Sequence, residues 1–331
     1  GNKMKSMQKT LTAGILISAI LLLTLTGCGM NKEKAIEQLG QAMAESSSFN
    51  SGKMKAEMKA TVSLGADSIE MNLNMDAAFR DRMQTMAMKM SGEMMGMPLD
   101  TQTYQTDGFL YTLNPEDGKY LKQPVLTEGM DYQKMMTLSQ DEMLPLYTAG
   151  ANAAEDFTFT EEETGLRVQF TMPQEQLEQM QQGIQSMMND EVLPAMEEQM
   201  RSSLTEQVNA QLAALGTEVD KTQMDALIEQ QIQMIMEMER KLFSSLKIGG
   251  LYCDMLIEDG VINDQTIKMQ MELPIRELVE IMGAAAGEES AQIPESCGLD
   301  MEIHSLIQER NTDFEIEMPQ FTEENTTTIA E

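Results

Sequence analysis

The chain has 331 residues, 54 acidic side chains against 23 basic ones, a net charge of −31, 35 methionines and no tryptophan. A surface that negative repels phosphate backbones and anionic headgroups, which excludes nucleic-acid binding and any membrane attachment built on basic patches. The length suffices to bury a sizeable core, as one large domain or two, and methionine gives that core flexible, polarizable side chains that adapt to irregular apolar partners.

Residues 1–27 read as a lipoprotein signal peptide. Lys3, Lys5 and Lys9 precede an apolar run from Leu11 to Leu25, and Leu25-Thr26-Gly27-Cys28 closes it as a small-residue cleavage site ending in cysteine. The run falls short of the ~20 residues that a permanent spanning helix needs. Cleavage would leave Cys28 as the new N-terminus, its thiol carrying a covalent lipid. This predicts an exported protein tethered to the extracytoplasmic face of a cell membrane by its lipid, palmitate being one such acyl group. Processing removes three lysines and no acid, so the mature chain is more acidic still.

Residues 28–50 hold the lipidated N-terminus and a first helix, with Ile36, Leu39 and Met43 at helical spacing up to Ser46-Ser47-Ser48. From Lys53 the period becomes two. Met54, Ala56, Met58, Ala60, Val62 and Leu64 share one face of a strand, and Lys53, Lys55, Glu57 and Lys59 the other. Ile69, Met71, Leu73, Met75, Ala77 and Phe79 repeat the scheme, and Met86, Met88 and Met90 repeat it again. Asp107-Gly108, between Thr103-Tyr104-Gln105 and Phe109-Leu110-Tyr111, is a two-residue hairpin signal, and Asn114 to Gly118 makes another turn. Together these runs predict an antiparallel meander with one wet and one greasy face.

Tyr132 to Tyr147 has a helical pattern before Pro145, and the runs around Phe157-Thr158-Phe159 and Leu166 to Met172 predict a hairpin. Pro173 then opens a glutamine- and methionine-rich helical insertion, 173–247. Its apolar stripes run through Leu177, Met180 and Ile184, through Met196, Met200, Leu204 and Val208 up to Gly216, and through Met224, Ile228, Ile232 and Ile235. Strands return with Leu251, Cys253, Met255 and Ile257, and with Ile267, Met269, Met271 and Leu273; Pro274 opens a helix. Phe170-Thr171-Met172-Pro173 and Met271-Glu272-Leu273-Pro274 share one strand-to-helix pattern, a weak internal repeat. Leu299 to Ile307 and Phe314 to Met318 predict two last strands. The domain would then span 51–319, followed by a disordered acidic tail, 320–331.

Catalytic signatures are missing from the sequence. The single His304 sits in a strand among Ile303, Leu306 and Ile307, and no His-paired nucleophile, GxSxG, P-loop or GxGxxG occurs, so no enzyme is expected. Cys253 and Cys297 each share the apolar parity of their strand, and in an exported protein they are candidates for a disulfide. Methionines from Met83 to Met97 invite a copper reading, since thioethers suit Cu(I). Met86, Met88 and Met90, however, alternate as a strand face does and have no His or free Cys beside them, so no metal site and no cofactor beyond the covalent lipid on Cys28 is expected.

The order of lipobox, short helix, long meander with its hairpin Tyr104-Gln105-Thr106-Asp107-Gly108-Phe109-Leu110-Tyr111, helical middle and closing Phe314-Glu315-Ile316-Glu317-Met318-Pro319 resembles the Gram-positive lipoproteins of the DUF6612 type. Those are themselves similar to the LolA and LppX half-barrel lipoproteins. The sequence departs from them in the length of the helices between Pro173 and Leu246. The resemblance implies an α+β fold, a strongly curved antiparallel sheet whose concave apolar face holds acyl chains under a helical lid. The candidate lining is Met58, Val62, Met71, Leu73, Met86, Met88 and Met90. Two functions follow as expectations: a surface lipoprotein carrying a lipid or similar apolar ligand, or an adhesion or scaffold lipoprotein that engages another envelope protein through its helices.

Overall fold

The computed structural model describes residues 29–125, 139–216, 218, 220–282 and 293–328. Cys28 and the signal peptide lie outside these residues. Asn31 opens the first helix, α1 (Lys32–Ser47), by accepting a hydrogen bond from the Lys34 backbone N–H at 2.8 Å, and Ala35, Leu39, Ala42 and Met43 form its buried stripe. The chain then runs as a meander: β1 (Gly52–Leu64), β2 (Asp67–Arg80), β3 (Thr85–Met94), β4 (Met97–Thr106), β5 (Phe109–Leu113) and β6 (Tyr120–Pro124). The Asp107-Gly108 signal makes the expected turn, both residues at positive φ (54° and 79°).

Helix α2 (Leu144–Ala153) overlaps the helix expected up to Tyr147 and carries it on to Ala153. Pro145 stands in its first turn, directly after a π-helical turn at Ser139–Met143. The part of the expected helix from 132 to 138 falls outside the described residues. Strands β7 (Thr158–Glu161) and β8 (Leu166–Thr171) lead into α3 (Gln174–Met187), then α4 (Leu193–Leu215) and α5 (Lys221–Ser245). Gly216, at φ 62°, caps α4 in the left-handed conformation, and the Asp220 carboxylate accepts from the Thr222 N–H to cap α5. Strands β9 (Lys247–Glu258) and β10 (Val261–Leu273), helix α6 (Ile275–Met282), strand β11 (Cys297–Gln308) and strand β12 (Thr326–Thr328) complete the order.

The twelve strands of the described residues form one open sheet, β12-β6-β5-β4-β3-β2-β1-β11-β10-β9-β8-β7. The class is α+β, a large curved antiparallel sheet that does not close, as the resemblance implied. The key join is β1 with β11, antiparallel, Met58 opposite Ile303 and Val62 opposite Leu299, which sews the meander to the C-terminal strands. Arg310 ties α1 to that join: its guanidinium donates to the Ser46 and Ile262 carbonyls and to Asn263 Oδ1, all within 3.0 Å.

The C-terminal segment also differs from expectation. Phe314 to Met318 is not a strand, and the tail is not loose up to Thr328. It crosses the polar face of the meander, with the Lys53 ammonium over the Phe314 ring and Arg80 within 3.7 Å of Asp313 and Glu315. Phe321 stacks on Tyr111 at 3.8 Å and meets Tyr104 and Tyr120, and β12 pairs parallel with β6. The acidic composition signalled a solvated tail, but one aromatic residue entering a tyrosine box outweighs it.

Candidate functional site: one apolar face, half of it covered

Register places one residue from each strand side by side across the sheet. In one row stand Phe170, Cys253, Ile267, Ile303, Met58, Leu73, Gly92 and Leu99, from β8 through β11 and β1 to β4. The next row holds Leu251, Met269, Met301, Ala60, Met71, Met94 and Met97. The apolar parity of each strand thus becomes one continuous face, because directly paired residues point the same way.

The two halves of this face differ. Over β8 and β9 it is covered by α1, α2 and α3: Leu39, Ala151, Leu177 and Met180 pack with Val168, Phe170, Leu251, Cys253 and Met255 in one buried cluster. Among the described residues, that cluster draws no buried member from β11 or β1–β6. There most of the larger apolar side chains are half-exposed, although Ala60, Ala77, Phe79 and Cys297 on the same face are buried. The seven candidate lining residues all fall on it and all are half-buried: Met58 opposite Leu73, Met71 opposite Ala60, Val62 opposite Ile69, Met86 opposite Phe79, Met88 opposite Ala77 and Met90 opposite Met75. Gly92, opposite Leu73, leaves a notch in the row; its φ of 146° and the Asn72 carbonyl, which stands where a Cβ would project, admit no side chain.

The sequence reading missed the second wall of this face, Leu299, Met301 and Ile303 on β11 with Ile267, Met269 and Met271 on β10. Alternation marked each strand as apolar on one side. That β11 would lie beside β1 rests on a pairing across most of the chain, which periodicity does not encode.

The helical insertion divides. α3 packs on the sheet, whereas α4 and α5 pack chiefly on each other around Leu193, Ile228, Ile232 and Met236, with Met196, Met200 and Leu204 alongside. The pair is clasped by Arg201, whose guanidinium donates to both Glu229 carboxylate oxygens at 2.9 and 3.0 Å and holds that carboxyl down at about 2. Its outward ties run to α3 and α6, through Gln185 to the Phe243 carbonyl at 3.0 Å and Lys241 to Glu277 at 3.3 Å. The expected lid over the methionine face is therefore not what α4 and α5 form. Their apolar stripes satisfy one another.

The disulfide is also corrected: Cys253 and Cys297 are both buried free thiols. β10 separates them, with Cys253 opposite Ile267 and Cys297 opposite Leu273, so about 20 Å of strand lies between their positions at ~3.3 Å per residue. A bridge needs Cα atoms within about 7 Å. Shared parity put both thiols on the apolar face, but at different levels of it. Burial pushes the Cys253 thiol up to about 12 and raises that of Cys297, and burial likewise pushes the Tyr147 phenol beside Cys253 up to about 12.

The opposite face is polar. Lys59, Glu70, Asn72, Tyr252, Lys268 and Glu302 line an open groove of about 570 Å³ across it, a concavity that the alternating pattern gave no reason to expect. His304 lies on this face, its Nε2 2.8 Å from Asp264 Oδ1 and both side chains partly exposed. Among the described residues, no three His, Cys, Asp or Glu side chains converge to hold a metal ion, and no helix is long and apolar enough to cross a membrane.

Known proteins bear on this arrangement as follows. The crystal structure of LprF from Mycobacterium bovis is similar at 10% identity and a TM-score of 0.35, over 87% of this chain and 97% of that one. A domain described as an outer membrane lipoprotein-sorting protein, from Vibrio parahaemolyticus, aligns at 8% identity and a TM-score of 0.17, over 86% and 95% of the two chains. No curated protein matches. The model of the family of unknown function DUF6612 matches residues 34–248, from α1 through the whole meander to the start of β9, and the chain belongs to that family.

Proposed function

We propose that this protein is a non-catalytic exported lipoprotein, held at the extracytoplasmic face of a Gram-positive cell membrane through a lipid on Cys28, and that it binds an acyl chain or similar apolar ligand. The binding surface is the half of the apolar face on β11 and β1–β3, with Met58, Val62, Met71, Leu73, Met86, Met88 and Met90 as its lining. The observation that carries this reading is the discontinuity of cover: one apolar face is buried by helices on β8 and β9, while its methionines on β2 and β3 are left half-exposed. Contiguous apolar surface left outside a core marks a site of interaction, and methionine suits a ligand of variable shape.

The test is native mass spectrometry of the protein purified with Cys28 replaced by Ser. Co-purifying lipid, or uptake of an added fatty acid that is reduced when Met58, Met71 and Met88 are changed to Gln, supports the reading. A ligand-free protein that ignores added fatty acids and phospholipids overturns it.

One observation favours a second reading, a scaffold that engages another envelope protein. Leu227 and Met234 on α5 are exposed, on a helical pair that leaves the sheet uncovered. Deleting that pair would then abolish partner capture and leave lipid uptake intact.

A further inference from the structure

Three hairpins of this sheet close with the same two-residue turn, both central residues at positive φ: Asp107-Gly108 at 54° and 79°, Asp259-Gly260 at 50° and 78°, and Met95-Gly96 at 56° and 75°. This type I′ geometry favours Asn, Asp or Gly in its first place, because a short polar side chain or none tolerates the left-handed region. Two of the turns obey the rule. The third puts methionine there.

Around that turn the second rule of a soluble surface is broken as well. Met94, Met95 and Met97 are 39%, 64% and 65% exposed, at the far end of a hairpin where polar residues would cost nothing. A site where turn chemistry and surface polarity fail together is where a function is to be sought. The register supplies the arrangement. Met71 on β2 stands directly opposite Met94 on β3, and Met94 directly opposite Met97 on β4, all three on one face. Directly opposed residues place their Cβ atoms roughly 5 Å apart, within reach of convergence for three long, freely rotating thioether side chains.

We propose that Met71, Met94 and Met97 form a three-thioether site for a soft monovalent cation, Cu(I). Thioethers are soft donors that select Cu(I) over the harder divalent ions. Glu93 and Pro98 flank the set but pair on the opposite, polar face of the sheet, opposite Asn72 and each other, so the apolar side of the hairpin end presents sulfur. The column Met86, Met88 and Met90 differs: those residues follow one another along a single strand and are half-buried opposite Phe79, Ala77 and Met75. The proposal stands independently of lipid binding, although Met71 also belongs to the candidate lining.

The experiment uses the full-length chain in nonionic detergent with Cys28→Ser, so that the Cys28 thiol does not compete, and Ag(I) as the air-stable surrogate for Cu(I). Methionine methyl groups carry ¹³C. The expected result is a shift of the Met71, Met94 and Met97 methyl signals that is complete at one equivalent of silver and lost in M71L/M94L/M97L. Leucine keeps the apolar volume, so that variant retains its fold. The single exposed change M97L, which removes one sulfur and no core contact, weakens the same shift. Shifts spread evenly over the methionines, no shift at one equivalent, or equal silver binding by the triple variant would overturn the proposal.

Discussion

The strands β8 and β9 and the strands β1–β3 carry the same kind of alternation and share one face, yet they meet different fates. On β8 and β9 the face disappears under α1, α2 and α3, and Phe170 is completely buried. On β1–β3 the methionines remain half-exposed. Apolar patterning thus sets which side of a strand is greasy, while the number of helices that can be brought over it sets whether that side becomes core or surface. The residue types differ accordingly. Phe, Val and Leu supply the buried face of β8, where packing is complete, and Met is the commonest apolar residue of β3, where the face stays half-exposed.

This contrast is broken most forcefully by truncation in each half. Phe170→Ala should destabilise the protein by about 3–5 kcal/mol, as a large side chain leaving a cavity in a packed core does. Met88→Ala should cost about 1 kcal/mol or less, since a half-exposed side chain removes fewer contacts and its site can relax. Urea unfolding of both variants measures the difference, and equal costs would show that the two halves are packed alike.

Gly92→Ala tests the meander on its own. The backbone conformation at that position and the Asn72 carbonyl both exclude a Cβ, so a loss of about 1–3 kcal/mol is expected, with β3 shifted against β2. Wild-type stability with an unchanged amide spectrum would contradict the register described.

The buried thiols sharpen the comparison, Cys253 on the covered side and Cys297 at the start of β11. With its thiol raised to about 12 from an ordinary 9.0, Cys253 favours folding while neutral. That contribution is whole below pH 9 and is lost as the pH climbs from 9 toward 12. Both thiols should resist a thiol-specific reagent at pH 8 in the native protein and react once it is unfolded; a missing pair of reactive thiols after unfolding would restore the disulfide.

The smallest effect belongs to the α4–α5 pair. Glu229, held at about 2 against an ordinary 4.5, adds a stabilising contact that is present above pH 4.5 and fades as the pH falls toward 2. The carboxylate is at the surface, so Arg201→Ala should lower the melting temperature only slightly at neutral pH and not at all near pH 2. A large loss would mean that the pair is braced by more than its own apolar stripe.

Much of this arrangement could be read in the residues. Alternation from Met54 to Met90 placed β1–β3 and their greasy side, and Asp107-Gly108 placed a turn. Proline marked the start of α3 and helped to open α4. What escaped were facts about partners distant in sequence. Met58 gives no sign that Ile303 lies beside it, the stripes of α4 and α5 do not say whether they seek a sheet or each other, and parity alone could not separate Cys253 from Cys297. At the tail, the acidic residues after Gln320 masked the single Phe321 that anchors it.

The central claim, that the uncovered half of the apolar face is a binding surface, is tested most directly by adding a spin-labelled fatty acid to the protein with ¹³C-labelled methionine methyls. The account predicts strong line broadening at Met58, Met71, Met88 and Met90 and none at Met172, Met180 or Met255, which lie in the packed cluster. Broadening confined to α4 and α5, or no broadening at saturating ligand, would contradict it.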